Sequence, residues 1–250
     1  MRRLGWLVLL LPWLLWACSS QPVLEPVNDQ KAAELNAELG LRYMMQGKDK
    51  LALEKLKRAL RYEPDSEKAN HYIAELYRRL DRPEKAEQHY RAALYSNEND
   101  SALHNNYGAF LCSQDRFDEA ENQFLQVLKD PVYTGRAETY ENLGLCLRRK
   151  PDLKKAESYF RQALQTDPRL PKSLFAMAEI SYANGNYLSS RGYLQRYHAV
   201  APVTPAMLWL GIRVERKLGN KDAVSSYVML LDGDFPDSDE AKKYRASLKE

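Results

Sequence analysis

The chain is poor in reactive and metal-ligating groups. It has three cysteines and four histidines in 250 residues, and no His-Glu-x-x-His, Cys-x-x-Cys or Gly-x-Ser-x-Gly occurs. Those patterns hold ligands or a nucleophile at the spacing their chemistry needs, so the common hydrolase, zinc and redox motifs are excluded. His71, His89, His104 and His198 are scattered over separate segments and point to no metal site. Gly40 to Gly47-Lys48 is a poor phosphate loop, because six residues intervene where four belong and Asp49 stands where Ser or Thr would hold magnesium. The expectation is a protein that is not an enzyme, with no cofactor, no metal and no small-molecule substrate. No block of five or six like charges occurs either, and the formal net charge is only +3. Without Arg2 and Arg3 the balance is 35 Lys+Arg against 34 Asp+Glu, a net of +1. That near-neutral mixture gives no electrostatic case for nucleic acid. Nor is there an apolar run of the roughly 20 residues that a bilayer span needs. The candidate stretch, Leu4 to Trp16, is 13 residues long and interrupted by Pro12.

That short run sits in an informative place. Arg2 and Arg3 precede it, and Ala17-Cys18 follow it. The layout of positive, apolar and small-residue regions is that of a signal peptide. With Leu15, Ala17 and Cys18 it resembles a bacterial lipoprotein signal, although Trp16 stands where a small residue is commoner. The resemblance implies removal of residues 1–17 and lipidation of Cys18. Several acyl chains anchor a protein stably where one does so only marginally. Ser19, rather than Asp, implies the outer membrane of a Gram-negative cell. An ordinary secretory signal ending near a cysteine is the plainer alternative. Residues 18–30 carry Pro22 and Pro26, have no helical period, and read as a tether.

Beyond residue 30 the chain repeats. Gly40, Ala74, Gly108, Gly144, Ala178 and Gly211 are spaced by 34, 34, 36, 34 and 33 residues. Twelve residues after each stands Ala52, Ala86, Ala120, Ala156, Ser190 or Ala223, and four further on Leu56, Tyr90, Phe124, Phe160, Leu194 or Tyr227. Pro64, Pro131, Pro168, Pro202 and Pro236 close five units, and Asn97-Glu98-Asn99-Asp100 closes the second. This is the tetratricopeptide-repeat signature: two antiparallel helices touch at small residues, and a large apolar residue plugs the next gap. The expected fold is all-α, a right-handed superhelix of six helix-turn-helix repeats at 31–66, 67–100, 101–136, 137–170, 171–203 and 204–236. A capping helix over 237–250 follows, started by Asp237-Ser238. The two extra residues, around Asp130 to Arg136, predict a longer connection. Cys112 and Cys146 fall within predicted helices, where free buried thiols are the first expectation. A disulfide between them stays open at this level.

Binding in this architecture uses the inner surface, at positions 2, 5, 9, 12 and 13 of each repeat. Repeat two offers Lys68, His71, Glu75, Arg78 and Arg79, and repeat four Glu138, Glu141, Leu145, Arg148 and Arg149, all readily solvated. Repeat one differs, with Glu34, Ala37, Leu41, Met44 and Met45. A methionine-rich apolar set on a face expected to see water points to an amphipathic helix as partner. Cover by residues 22–27 of the same chain is the alternative. Repeat three is small and weakly polar (Ala102, Asn105, Ala109, Cys112, Ser113), with Asn106 beside it. A clamp for an acidic C-terminus would want Lys and Asn where Ala37 and Leu41 stand. Most of the sixteen tyrosines, such as Tyr43, Tyr77 and Tyr90, occupy packing positions.

Taken together, the lipidated cysteine, the six repeats, Asn105-Asn-Tyr-Gly-Ala-Phe-Leu111, Arg116-Phe-Asp-Glu-Ala120, the insertion and Tyr140-Glu-Asn-Leu-Gly-Leu145 resemble the type IV pilus biogenesis lipoprotein family, the pilotins of the pilus secretin. The resemblance spans nearly the whole chain. It implies an outer-membrane lipoprotein that binds secretin subunits and promotes their localisation and multimerisation. On that reading Ala37, Leu41, Met44 and Met45, with Asn105 and Asn106, take an amphipathic segment of the secretin, and Cys18 holds the membrane. A repeat scaffold for another envelope machine, such as outer-membrane β-barrel assembly or a protease adaptor at peptidoglycan, is the alternative.

Overall fold

Small residues at a fixed period and turns with left-handed backbone produce a chain of paired helices. The computed structural model describes residues 28–150 and 153–248. Among the described residues there are thirteen helices and no strand. The first pair is α1 (Asp29–Met45) with α2 (Asp49–Tyr62), followed by α3 (Glu67–Arg79) with α4 (Pro83–Ser96). Next come α5 (Ser101–Ser113) with α6 (Phe117–Lys129), and α7 (Arg136–Arg149) with α8 (Leu153–Thr166). The last pairs are α9 (Pro171–Ala183) with α10 (Tyr187–His198), and α11 (Pro205–Leu218) with α12 (Lys221–Asp234), before α13 (Asp239–Ala246) ends the stack.

Local chemistry sets the boundaries. Asn28, Asp100, Thr204, Asn220 and Ser238 each accept a hydrogen bond from the backbone N–H three residues on, which satisfies a donor left over at a helix start. Within the pairs, Gly47, Asp81, Asp115, Gly185 and Gly219 adopt positive φ at equivalent places, so one left-handed residue turns the chain each time. Aspartate tolerates this conformation better than most side chains do.

Between paired helices the small residue is a steric requirement. A Cβ added at Gly144 would lie 2.7 Å from the Phe160 ring, and one at Gly40 would lie 2.5 Å from Leu56. Both partners are fully buried. In repeat five Ser190 replaces the usual alanine, and its hydroxyl donates to the Ala178 carbonyl at 2.8 Å, so the buried polar group is satisfied. The plugging residues link into successive core clusters along the stack, as expected of repeats that cannot bury a face alone.

The insertion is a longer connection between α6 and α7. Arg136 ties it down by donating to the Leu128 and Asp130 carbonyls at 2.8 and 2.9 Å, and Ser101 donates to the Asp130 carboxylate at 2.9 Å. First helices of neighbouring repeats touch one another, α1 with α3, α5 with α7, α7 with α9 and α9 with α11, so they line one face of the superhelix.

One expectation is corrected. Cys112 and Cys146 are not free thiols but a disulfide joining α5 to α7, with Cα atoms 5.7 Å apart. Position 12 of a first helix faces position 10 of the next one. The two cysteines occupy those positions of repeats three and four, which brings them within bridging distance.

Candidate interaction surface

The apolar set of repeat one divides between core and surface. Met45 is 81% exposed and Leu41 half-buried. Ala37 is 0% exposed and packs with Ala59 and Ala69, and Met44, at 9%, joins the core beside Leu76. In repeat one, positions 5 and 12 therefore face the next repeat, not solvent, and Ala37 and Met44 are corrected from surface to core; the arginines at position 12 of repeats two and four, Arg78 and Arg148, stay exposed. For the same reason His71, Glu141 and Cys112 are buried where solvated or open positions were expected. The exposed apolar residues of α1 are Leu35, at 57%, and Met45, with the Lys68–Glu34 ion pair (3.0 Å) at the next repeat seam.

Asn105 and Asn106 come together as part of a polar seam between first helices. Asn105 Oδ1 accepts from Asn142 Nδ2 at 3.2 Å and from Thr139 Oγ1 at 3.3 Å. Asn106 Nδ2 donates to His71 Nε2 at 2.9 Å. Burial lowers the His71 pKa, the first cause of its shift, and so favours the neutral ring that can accept this bond. Both asparagines are half-buried, so they join repeats two, three and four and still reach the inner surface.

Beside them the disulfide floors a groove of about 240 Å³ whose walls include Ala109, Ser113, Leu145 and Arg149. Arg149 donates to the Cys112 carbonyl at 2.7 Å and to Asp115 at 2.6 Å. Two repeats earlier Arg79 makes the same connections, to the Met44 carbonyl and to Asp49. An arginine at position 13 thus adds a charged donor to a carbonyl at the end of the preceding first helix, which also accepts from the backbone N–H of the turn residue Gly47 or Asp115. On the outer side, buried Glu121 accepts from Lys155 at 2.7 Å and Tyr159 at 3.0 Å. Burial, then the Glu121 hydrogen bond, pushes the Tyr159 pKa up to about 12. Glu141, also buried, accepts from the Ser173 backbone N–H (2.9 Å) and hydroxyl (2.8 Å) at the start of α9, where the helix dipole favours a carboxylate.

Sequence reasoning missed one set altogether. Tyr182, Trp209, Arg213 and Tyr244 form a row over the last two repeats and α13. The available signal was the register that joins the cysteines: Tyr182 is at position 12 of repeat five and Arg213 at position 10 of repeat six.

Among the described residues no three His, Cys, Asp or Glu side chains are placed to hold a metal ion. No described helix is long and apolar enough to cross a membrane. Cys18, the expected signal over 1–17 and residues 22–27 lie outside the described residues.

Comparison with known proteins agrees with this geometry. Residues 43–107 and 99–169 match models of the tetratricopeptide repeat. The type IV pilus assembly protein PilF of Pseudomonas aeruginosa is 30% identical over 244 residues, covering 96% of this chain and 97% of PilF. A solved structure from the functional characterisation of Pseudomonas aeruginosa PilF matches with a TM-score of 0.80 at 29% identity, over 88% of this chain and 99% of that one. The structure of PilW, a widely conserved type IV pilus biogenesis factor, matches with a TM-score of 0.76 at 28% identity, over 85% and 97%.

Proposed function

This chain belongs to the tetratricopeptide-repeat family that includes the type IV pilus assembly protein PilF, and from that premise we propose that it is a pilotin, a non-catalytic lipoprotein that binds the pilus secretin and promotes its outer-membrane localisation and multimerisation. The end-to-end likeness to PilF carries the proposal, since it covers all six repeats and both ends of the array. The inner surface supports it. Leu41 and Met45, with Leu35 on the same helix, offer apolar contact in repeat one, and an amphipathic helix of the secretin is the partner this chemistry suits.

The disulfide supports the compartment. Structural disulfides persist in oxidising places such as the bacterial periplasm and are rare in cytosol. A Cys112–Cys146 bridge fits a periplasmic body, and Cys18 supplies the lipid that holds it to the outer membrane. In this mechanism the repeats capture a secretin subunit while it is still soluble, and the anchor decides the membrane to which it is delivered. Two measurements test the proposal. The lipidated protein, pulled down from envelope extract, should bring the secretin with it. Cys18→Ser should leave the protein away from the outer membrane and secretin rings scarce or misplaced. A Cys18→Ser protein that still fractionates with the outer membrane refutes the anchor. Normal twitching motility with a barrel-assembly defect on deletion refutes the pilus role.

A further inference from the structure

The last two repeats and the capping helix carry a row of alternating rings and guanidinium groups. Tyr187 lies 5.5 Å from Tyr182, ring to ring. The Arg213 guanidinium lies 4.7 Å over the Tyr182 ring and 5.6 Å from Trp209. Trp209 meets Tyr244 edge-on at 6.5 Å, and Arg216 covers Tyr244 at 5.2 Å. Every member except Arg216, which is exposed, is half-buried.

Arg213 is the odd member. Arg79, Arg148, Arg149 and Arg191 each bond a carboxylate, and Arg216 donates to Ser247 Oγ at 2.9 Å. The Arg213 side chain has no hydrogen bond or ion pair to any described residue, and its Nε is buried without an acceptor. The one acid of α9 and the one acid of α11 are already committed, Glu179 to Arg148 and Glu215 to Arg191. The two rings favour a cation between them and hold its plane. The result is an uncompensated charge whose N–H donors are fixed in advance, the arrangement that a carboxylate matches through paired hydrogen bonds.

We infer that Arg213, held between Tyr182 and Trp209, is a recognition site for the Asp or Glu side chain of an extended partner segment. Rings continue on both sides of the guanidinium, Tyr187 on one and Tyr244 on the other. A chain running across the row therefore sets its acid on Arg213 and apolar neighbours on the flanking rings, which a chain end cannot do on both sides. The site lies at the opposite end of the repeat array from α1, and the inference stands whatever the identity of the partner.

The test uses the full chain, with Trp6, Trp13 and Trp16 replaced by phenylalanine so that Trp209 is the one indole left of four. Three probes are titrated against its fluorescence: acetyl-Ser-Leu-Glu-Leu-Ser-amide, the same peptide with Gln for Glu, and the Gln peptide with a free C-terminal carboxylate. The Glu peptide should shift the Trp209 emission saturably, bind about tenfold or more tighter than the Gln peptide, as a charge-assisted hydrogen bond requires, and weaken with added salt. Arg213→Gln should abolish the preference for Glu, while Arg213→Lys retains part of it. Tyr182→Leu, which keeps the charge but removes one ring, should also weaken Glu-peptide binding, and serves if Arg213→Gln loses its helical circular dichroism. Equal binding of the Glu and Gln peptides, binding of the free-terminus peptide alone, no saturable response, or an undiminished preference in folded Arg213→Gln each overturn the inference.

Discussion

Removing the Cys112–Cys146 crosslink should loosen the middle of the array more than its ends. The bridge closes a loop of 34 residues. In the chain-entropy account a loop of that length contributes about 3.8 kcal/mol by restricting the unfolded chain. For a protein of this size each kcal/mol shifts the melting temperature by about 2–4 °C, so the loss is about 8–15 °C. The effect should be local, because a repeat array couples each unit mainly to its neighbours. Hydrogen exchange should speed up first in α5 and α7. Both cysteines are buried, so serine replacements would add a buried hydroxyl and confuse the measurement. The clean comparison is wild type oxidised against wild type reduced, which keeps every atom but the bond, with Cys112→Ala/Cys146→Ala as a check. Thermal melting by circular dichroism reads the shift. If the oxidised and reduced forms melt within about 2 °C of each other, well under the chain-entropy value, or if two thiols titrate in the unreduced denatured protein, the crosslink does not carry this stability.

Further expectations rest on single contacts. Leu41→Asp/Met45→Asp should keep the helical spectrum and lose secretin co-purification; retained binding by the folded variant rules this patch out. Met44→Asp, in contrast, places a charge in the core and should cost about 3 kcal/mol or more in urea denaturation. Gly144→Ala pushes a methyl against the Phe160 ring and should cost about 1–3 kcal/mol. Gly192→Ala, in α10 with open space around it, should stabilise by about 0.5–1 kcal/mol; the same sign for both would refute the packing argument. Burial lowers the folded pKa of both His71 and His89 from the ordinary 6.5. The unfolded chain then binds protons that the folded one resists, so this stability is complete above about pH 6.5 and is lost as pH falls below it. His71→Gln/His89→Gln should flatten that slope, and an unchanged slope would assign it to other groups.

The repeat was legible because it is written in one-body requirements. Gly144 must be small whatever surrounds the pair, since Phe160 fills the space beside it, and Ser238 must present an acceptor at a helix start, whereas Asn28, which caps α1, was hidden in a stretch that reads as tether. Such rules act within one repeat and recur at a fixed period. The surface was harder to read because it depends on how repeats meet. Ala37 and Met44 sit on the inner helix, but the next repeat covers them; only the relative rotation of α1 and α3 decides this. The same seam explains the missed disulfide and the missed Tyr182–Arg213 contact. Each pairs position 12 of one repeat with position 10 of the next, a relation that a single helix does not show.

That seam also separates two kinds of residue on the inner face. Several residues at positions 5 and 12 are spent on neighbours: Ala37 on Ala69, His71 on Asn106, Glu141 on Ser173, Cys112 on Cys146. Recognition is left to position 9, to position 13 where no arginine ties it to the preceding repeat, as at Met45, and to members of the seam whose own bonding is incomplete, of which Arg213 is the clearest. With Cys18 anchored as proposed, the ten-residue span to Asn28 reaches at most about 35 Å even when fully extended. Leu35, Leu41 and Met45 are then tied close to the bilayer, while Arg213 lies five repeats further along the array. An apolar, membrane-seeking segment suits the first place and an acidic, water-soluble one the second. A single secretin subunit held at both would be oriented as well as captured, and loss of either contact should then forfeit the avidity gain, about 10²–10⁴-fold, that joining two sites supplies.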